Sequence, residues 1–193
     1  MVNNVATVLS LVTAIVSLFF GLLQYRLRKK ESRNKLLAEL NNQFSTSPDI
    51  MKFFRMIDYN EKWYDRAFLN SPLENIADKT LLYYENILRH RDEKTLEEKD
   101  FKSNFKYQID KVVSNYDAQC YFFNLYHYSN KARIPFPYQR LVDYGQKEKY
   151  IDPVVFNNKD SKTFIQYLNF KLQKYLNYDI NRPAFSLCGA IFL

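Results

Sequence analysis

The chain of 193 residues contains only three glycines, two cysteines and two histidines. Tight hairpins need residues with positive φ, most often glycine, so this shortage argues against a fold rich in β-hairpins. It also leaves no glycine-rich phosphate loop and no dinucleotide-binding motif. Two cysteines are too few for a disulfide framework or a four-thiolate zinc site. The composition therefore argues against the disulfide-stabilised and nucleotide-cofactor classes.

Neither histidine lies at a sequence spacing that indicates metal binding or catalysis. No pair of His residues, or of His and Cys, has the spacing of metal ligands. His127 lies among aromatic residues and is predicted to be a partly buried core residue, whereas His90 is predicted to cap a helix end, where a cation is favoured. Cys120 and His127 are two helical turns apart, too far for a nucleophile and its base. We therefore predict no enzyme activity, no metal and no cofactor.

The chain is rich in aromatic residues, and its charges are unevenly distributed along the sequence. With 16 tyrosines and 16 phenylalanines, the chain as a whole is not intrinsically disordered. Residues 1–25 carry no charge, and residues 36–193 have a net charge of only +2, a weak footprint for a nucleic-acid-binding domain. Six cations accompany the single acid Glu31 in residues 26–35. This basic cluster consists of Arg26, Arg28, Lys29, Lys30, Arg33 and Lys35.

Residues 1–25 are predicted to be a transmembrane helix. Residues 5–23 form an uncharged, mostly apolar run that would be about 28 Å long as a helix, close to the thickness of a bilayer core. A signal peptide carries its basic residues before the apolar run, and here they follow it. A buried soluble helix is the other alternative. By the positive-inside rule the N-terminus is outside and the rest cytoplasmic, which predicts free thiols at Cys120 and Cys188.

Small and polar residues recur along this run at alternating steps of three and four, which places them on one face of a helix. Small residues let helices approach closely, and hydroxyl groups form hydrogen bonds between helices. The pattern predicts a self-association face and, in a ring of helices, a pore lining; in a lone anchor these residues would be incidental. We call this face the small-residue stripe: Thr7, Ser10, Ala14, Ser17, Gly21 and Gln24.

The predicted fold class is all-α, with the N-terminal helix continuing through the basic juxtamembrane segment 26–35 into a cytoplasmic helical domain at 36–183. Serine or threonine followed by Pro or Glu indicates helix starts at Ser47-Pro48, SPLE (71–74) and TLEE (95–98). Residues 60–70 are predicted to be a connecting segment with buried aromatic residues. Further helices are expected from 71 to about 90, from 95 to about 113, at 116–128 and at 159–178. A short helix is also expected to end at Gly145 as its C-cap.

The last ten residues, 184–193, form an uncharged apolar tail, AFSLCGAIFL. Ten residues are too few to span a bilayer. We expect the tail to dock into the core or into a groove of another subunit, with interfacial membrane contact as the alternative.

Three segments carry a resemblance to a known family: 24–32 (QYRLRKKES), 35–41 (KLLAELN) and 82–87 (LYYENI). Together with the N-terminal span, they resemble the small membrane accessory proteins of RNA-targeting type VI-B CRISPR systems, or a related bacterial single-span family of unknown function. The similarity covers about residues 5–60 and, more loosely, 72–130. It implies a ring-shaped oligomer in the bacterial inner membrane that perturbs membrane integrity when a phage-sensing partner is triggered.

The same family is linked to the pattern of HEPN ribonucleases, in which Arg is followed by four to six residues and then His. Neither His90 nor His127 has an Arg at that spacing. A HEPN-like RNA-binding or nuclease module is therefore the less favoured alternative.

The first hypothesis is a single-pass inner-membrane protein that assembles into a pore or membrane-disrupting effector of antiviral defence. Its partners would be the lipid bilayer, further copies of the chain, and an RNA-targeting CRISPR effector or other phage-sensing protein, with no small-molecule substrate. The second hypothesis is a membrane-tethered adaptor that binds a cytoplasmic partner and conducts nothing.

Overall fold

The computed structural model describes residues 2–65 and 67–158, together with residues 163, 166 and 167, and side chains from residue 13 onward with the exception of residue 14. Every regular element among the described residues is a helix, which confirms the all-α part of the predicted fold class. Their helices are α1 (Val2–Thr46), α2 (Pro48–Asp58), α3 (Pro72–Asp92), α4 (Glu98–Asn104), α5 (Lys106–Ser114), α6 (Tyr116–Ala132), α7 (Gln139–Lys147) and α8 (Pro153–Asn157).

The chain divides into two compact units. The first unit, up to Gln43, contains most of α1, a helix of 45 residues with no proline to interrupt it. The second unit begins at Phe44 and contains the remaining helices.

The core of the second unit forms where α2 packs against α3 and α5, and where α7 packs against the same two helices. Its central side chains are fully buried, as the apolar spacing of each helix predicts. Burying one such side chain stabilises the fold by about 1.5–3 kcal/mol. Central positions of five helices are occupied by Phe53, Leu81, Ile109, Phe122 and Leu141.

The segment between α2 and α3 is fixed by aromatic and polar contacts. Trp63, Tyr64 and Phe68 are buried, which confirms the predicted connecting segment with buried aromatic residues. The buried carboxylate of Asp117, in the first turn of α6, accepts hydrogen bonds from the backbone N–H groups of Trp63 at 2.7 Å and Tyr64 at 3.0 Å. One side chain therefore ties this segment to α6.

A second buried carboxylate, Glu85 of α3, binds the start of α7. It accepts hydrogen bonds from the backbone N–H groups of Arg140 and Leu141, both at 3.0 Å, and pairs with the Arg140 guanidinium at 3.4 Å. These N–H groups have no partner within the helix, so Glu85 acts as a cap supplied from another helix. Burial raises the pKa of Glu85, and the bonds from Arg140 and Leu141 oppose the rise.

Two tyrosines share a third carboxylate. The hydroxyl groups of Tyr121 in α6 and Tyr138 before α7 both donate to Oδ1 of Asp78 in α3. Both phenol rings are buried, and burial is the main cause that raises the pKa of each hydroxyl group.

The predicted start of α3 is confirmed. The side chain of Ser71 accepts a hydrogen bond from the Glu74 backbone N–H at 3.3 Å, and the Glu74 carboxylate accepts one from the Asn70 backbone N–H. These bonds satisfy donors that a helix start leaves free.

The predicted helix from 95 to 113 is wrong in two respects. Thr95 does not cap it: α4 starts at Glu98 with Glu97 as its N-cap, and the Thr95 hydroxyl donates to the His90 carbonyl instead. The helix is also interrupted at Phe105, whose φ of −126° leaves the α region. The break separates α4 from α5 while the Phe105 side chain stays buried in the core.

Gly145 is not a C-cap, contrary to the prediction. It lies inside α7, which continues to Lys147, and it is buried. A Cβ atom at this position would lie 2.7 Å from Cδ1 of Ile151. The glycine is therefore needed for close packing and not to end the helix.

No described glycine has positive φ, and the left-handed positions are occupied by other residues. Arg133, the C-cap of α6, has φ 58° and ψ 38°. The Cβ atom of an L-residue costs about 1–2 kcal/mol in this conformation. We therefore expect Arg133→Gly to raise the free energy of unfolding by about 1 kcal/mol. Urea unfolding followed by Trp63 fluorescence measures the change, and Arg133→Ala, which keeps the Cβ atom, should give no gain.

Two predicted elements, the helix at 159–178 and the apolar tail at 184–193, lie outside the described residues, except that residues 163, 166 and 167 are helical. Cys188 lies in the same undescribed part. Cys120 is buried and is not part of a disulfide, as predicted.

Candidate functional site

The most unusual described surface is the apolar part of α1. Every residue from 15 to 30 is exposed, and the large side chains include Leu18 at 69%, Phe19 at 60% and Leu22 at 54% exposure. At 100° per residue, the large apolar side chains of 15–23 cover an arc of roughly 200° of the helix circumference. Such a wide apolar surface is typical of a helix that is covered by lipid or by other helices.

The small-residue stripe occupies the remaining arc. Ser17, Gly21 and Gln24 are exposed, and a Cβ atom built on Gly21 meets nothing within 4 Å. Contacts with the described residues therefore do not require a glycine at this position. Thr7, Ser10 and Ala14 also lie on α1, but their side chains are outside the described set. Self-association along the stripe stays a prediction.

The basic cluster follows directly on the same helix. Arg33 is half-buried, and the other five cations are exposed. Within the described part of the chain, no ion pair joins Arg26, Arg28, Lys29 or Lys30 to a carboxylate. Exposed, unpaired cations on a helix attract anions.

Among the residues whose side chains the structure describes, no helix has both the length and the apolar content that a membrane crossing requires.

Both histidines occupy structural environments. The Nε2 atom of His127 lies 3.1 Å from the Phe156 carbonyl oxygen, and its half-buried ring packs at 4.4 Å against Phe123. His90 lies in the last turn of α3, with Nδ1 at 3.0 Å from Oγ1 of Thr95. These positions match the predicted core and helix-end roles.

A polar groove of about 520 Å³ is the feature that sequence reasoning missed. The Arg91 guanidinium lies over the rings of Phe101 at 4.9 Å and Tyr144 at 5.1 Å. Lys106 donates to Asp110 at 2.8 Å, and this bond is the main cause that raises the pKa of Lys106. The groove is lined by Arg91, Asp92, Glu98, Phe101, Lys102, Lys106, Tyr144, Lys147 and Glu148.

Three of the four basic residues that line this groove, Arg91, Lys102 and Lys106, are already paired with carboxylates. Arg91 lies 3.0 Å from Asp92, and Lys102 lies 3.6 Å from Glu98. An anionic ligand would have to displace these carboxylates. The lining residues come from separate parts of the sequence, so no local motif could have predicted the groove. Within the described residues, no group of His, Cys, Asp and Glu side chains is arranged to hold a metal ion.

Comparison with known proteins identifies no relative: no family model matches the chain, and neither a curated protein nor a solved structure is similar to it. The resemblance to CRISPR accessory proteins therefore stays a prediction.

Proposed function

We propose that this chain is a single-pass membrane protein whose α1 helices associate into a pore or membrane-disrupting oligomer. The observation that carries the proposal is the exposed apolar surface of α1 between residues 15 and 23. Exposing this surface to water costs about 25 cal/mol of free energy per Å² of apolar area. Insertion of the helix into a bilayer removes that cost.

The sequence supports a full crossing. Residues 5–23 contain no charge and lie within a single helix, α1. The basic cluster follows this run, so the positive-inside rule favours a cytoplasmic second unit and an N-terminus outside.

The small-residue stripe supports association between copies. In lipid, large apolar side chains gain little by contacting each other, because the acyl chains are equally apolar. Small and hydroxyl-bearing residues instead allow close backbone approach and hydrogen bonds between helices. A ring with the stripe inward would place Ser17, Gly21 and Gln24 at its lumen and the apolar arc against lipid. The proposed setting, antiviral defence triggered by an RNA-targeting CRISPR effector, rests on the resemblance of the sequence.

The mass of the full-length protein in mild detergent, from light scattering corrected for detergent, tests this proposal. We expect a discrete oligomer of roughly six or more copies, and its loss in Ser17→Leu/Gly21→Leu, because leucine separates the helices at the stripe. The matched control is Ile15→Leu/Phe19→Leu, which changes two residues at the same spacing on the opposite face and should keep the oligomer.

A monomer or dimer that is equally unaffected by both variants would overturn the oligomer and leave the membrane-tethered adaptor. Leak of ions from liposomes that contain the purified protein should follow the same pattern: present in the wild type and the control, and lost in Ser17→Leu/Gly21→Leu.

A further inference from the structure

The geometry of α1 divides the basic cluster into two opposite faces. Arg26, Lys29, Lys30 and Arg33 follow one another at steps that place them within an arc of about 100°. We call these four residues the basic face. Arg28 and Lys35 lie on the other side of the helix, four and eleven residues after Gln24, and so continue the small-residue stripe.

The basic face lies directly beyond the apolar arc. Arg26, Lys29 and Lys30 are exposed, with no ion pair to a carboxylate among the described residues, whereas Arg33 is half-buried. Tyr25 and Leu27 beside them are 65% and 66% exposed. An aromatic residue and cations at the end of an apolar helix are typical of the headgroup region of a bilayer.

We propose that the basic face binds the phosphate groups of anionic phospholipids in the cytoplasmic leaflet, whereas Arg28 and Lys35 point toward neighbouring copies. This inference rests on the proposed membrane insertion and on the stripe-inward ring. If the stripe faces other copies, then the opposite side of the helix faces lipid.

The distances along the helix fit this partner. The rise of 1.5 Å per residue places Arg33 about 10 Å beyond Arg26, so all four positions lie within about one Debye length of the headgroups. Their long side chains can bend back toward the interface. A free anion such as inorganic phosphate would not select one face of the helix, because both faces carry exposed cations.

The experiment uses full-length protein reconstituted in phosphatidylcholine vesicles with a trace of spin-labelled lipid. The fraction of label immobilised at the protein is compared for phosphatidylglycerol and phosphatidylcholine. We expect the wild type to prefer phosphatidylglycerol, and Lys29→Gln/Arg33→Gln to reduce this preference about tenfold, because each cation near anionic headgroups contributes a several-fold preference.

The matched control is Arg28→Gln/Lys35→Gln, which removes one Arg and one Lys at nearly the same mean height on the opposite face. It should keep the preference of the wild type. Equal losses in the two variants would overturn the assignment to one face, and the absence of any preference in the wild type would overturn lipid binding.

Membrane insertion is measured separately, as resistance of the protein to extraction from the same vesicles by alkaline carbonate. Extraction of the wild type would overturn the proposed function together with this inference. Resistance to extraction without preference for phosphatidylglycerol would overturn the inference alone.

Discussion

Replacing Asp117 with alanine is expected to lower the free energy of unfolding of the second unit by about 3 kcal/mol. The Asp117 carboxylate accepts hydrogen bonds from two backbone N–H groups, those of Trp63 and Tyr64, in a buried environment. Alanine leaves both donors without a partner, and each buried unsatisfied donor costs about 1–3 kcal/mol. The chain has one tryptophan, Trp63, so urea unfolding followed by its fluorescence reports on this site.

The control for this change is Asp117→Asn. Both N–H groups donate to the same oxygen, Oδ2, so the amide oxygen of asparagine can accept both bonds. We expect Asp117→Asn to cost less than about 1 kcal/mol at neutral pH, since the bonds remain and the buried charge is removed. Equal losses for alanine and asparagine would contradict the role assigned to the carboxylate oxygen.

The wild type and the Asp117→Asn variant should also differ in how the free energy of unfolding depends on pH. Burial raises the pKa of Asp117, so the folded state binds its proton more tightly than the unfolded state does. Its contribution to stability is therefore greatest below the unfolded pKa and declines as the pH rises through the raised folded pKa. The Asp117→Asn variant should lack this part of the decline.

Replacing Gly145 with alanine is expected to lower the free energy of unfolding by about 2 kcal/mol. In an exposed helix the same change stabilises by about 1 kcal/mol. Here the added Cβ atom would lie 2.7 Å from Cδ1 and 3.0 Å from Cγ1 of Ile151, and 3.4 Å from Cβ of Val113. The steric overlap outweighs the gain in helix propensity because α7 is packed closely at this point.

A double-mutant cycle with Ile151→Val tests the cause. Valine lacks the Cδ1 atom, so Gly145→Ala should cost about 1 kcal/mol less in the Ile151→Val background than in the wild type. If Gly145→Ala cost the same in both backgrounds, contact with Ile151 would not be its cause.

Local signals in the sequence predicted much of the fold. The serine of SPLE caps α3, proline starts α2 after Ser47, and the aromatic residues of 60–70 are buried as expected. These features depend on residues within a few positions of each other, so a short stretch of sequence contains the cause.

The errors and omissions come from contacts that the local motifs do not contain. Thr95 has the sequence of a cap, but its hydroxyl donates to the His90 carbonyl and the helix starts only at Glu98. Gly145 resembles a C-cap, but Ile151 and Val113 determine why it must be small. The partners of Asp117 lie more than 50 residues away, and so do those of Glu85, so no sequence pattern shows either cap.

The sequence predicted one part of the candidate site, the surface of α1, but not the polar groove. The apolar run and the basic cluster are continuous in sequence, and their described side chains lie on one helix, all of them exposed except the half-buried Arg33. The groove around Arg91 was not predictable, because its residues meet only after α3, α4, α5 and α7 have packed.

The tyrosine pair on Asp78 makes folding a proton-linked equilibrium at high pH. Tyr121 and Tyr138 keep their phenol protons in the folded state because burial raises both pKa values. In the unfolded chain the same phenols release protons near pH 10. Above that pH, ionisation of the two phenols in the unfolded chain lowers the free energy of unfolding. The stabilising contribution of these two buried rings therefore disappears. We therefore expect strong alkali to unfold the second unit, because two of its buried aromatic residues ionise only when the unit unfolds.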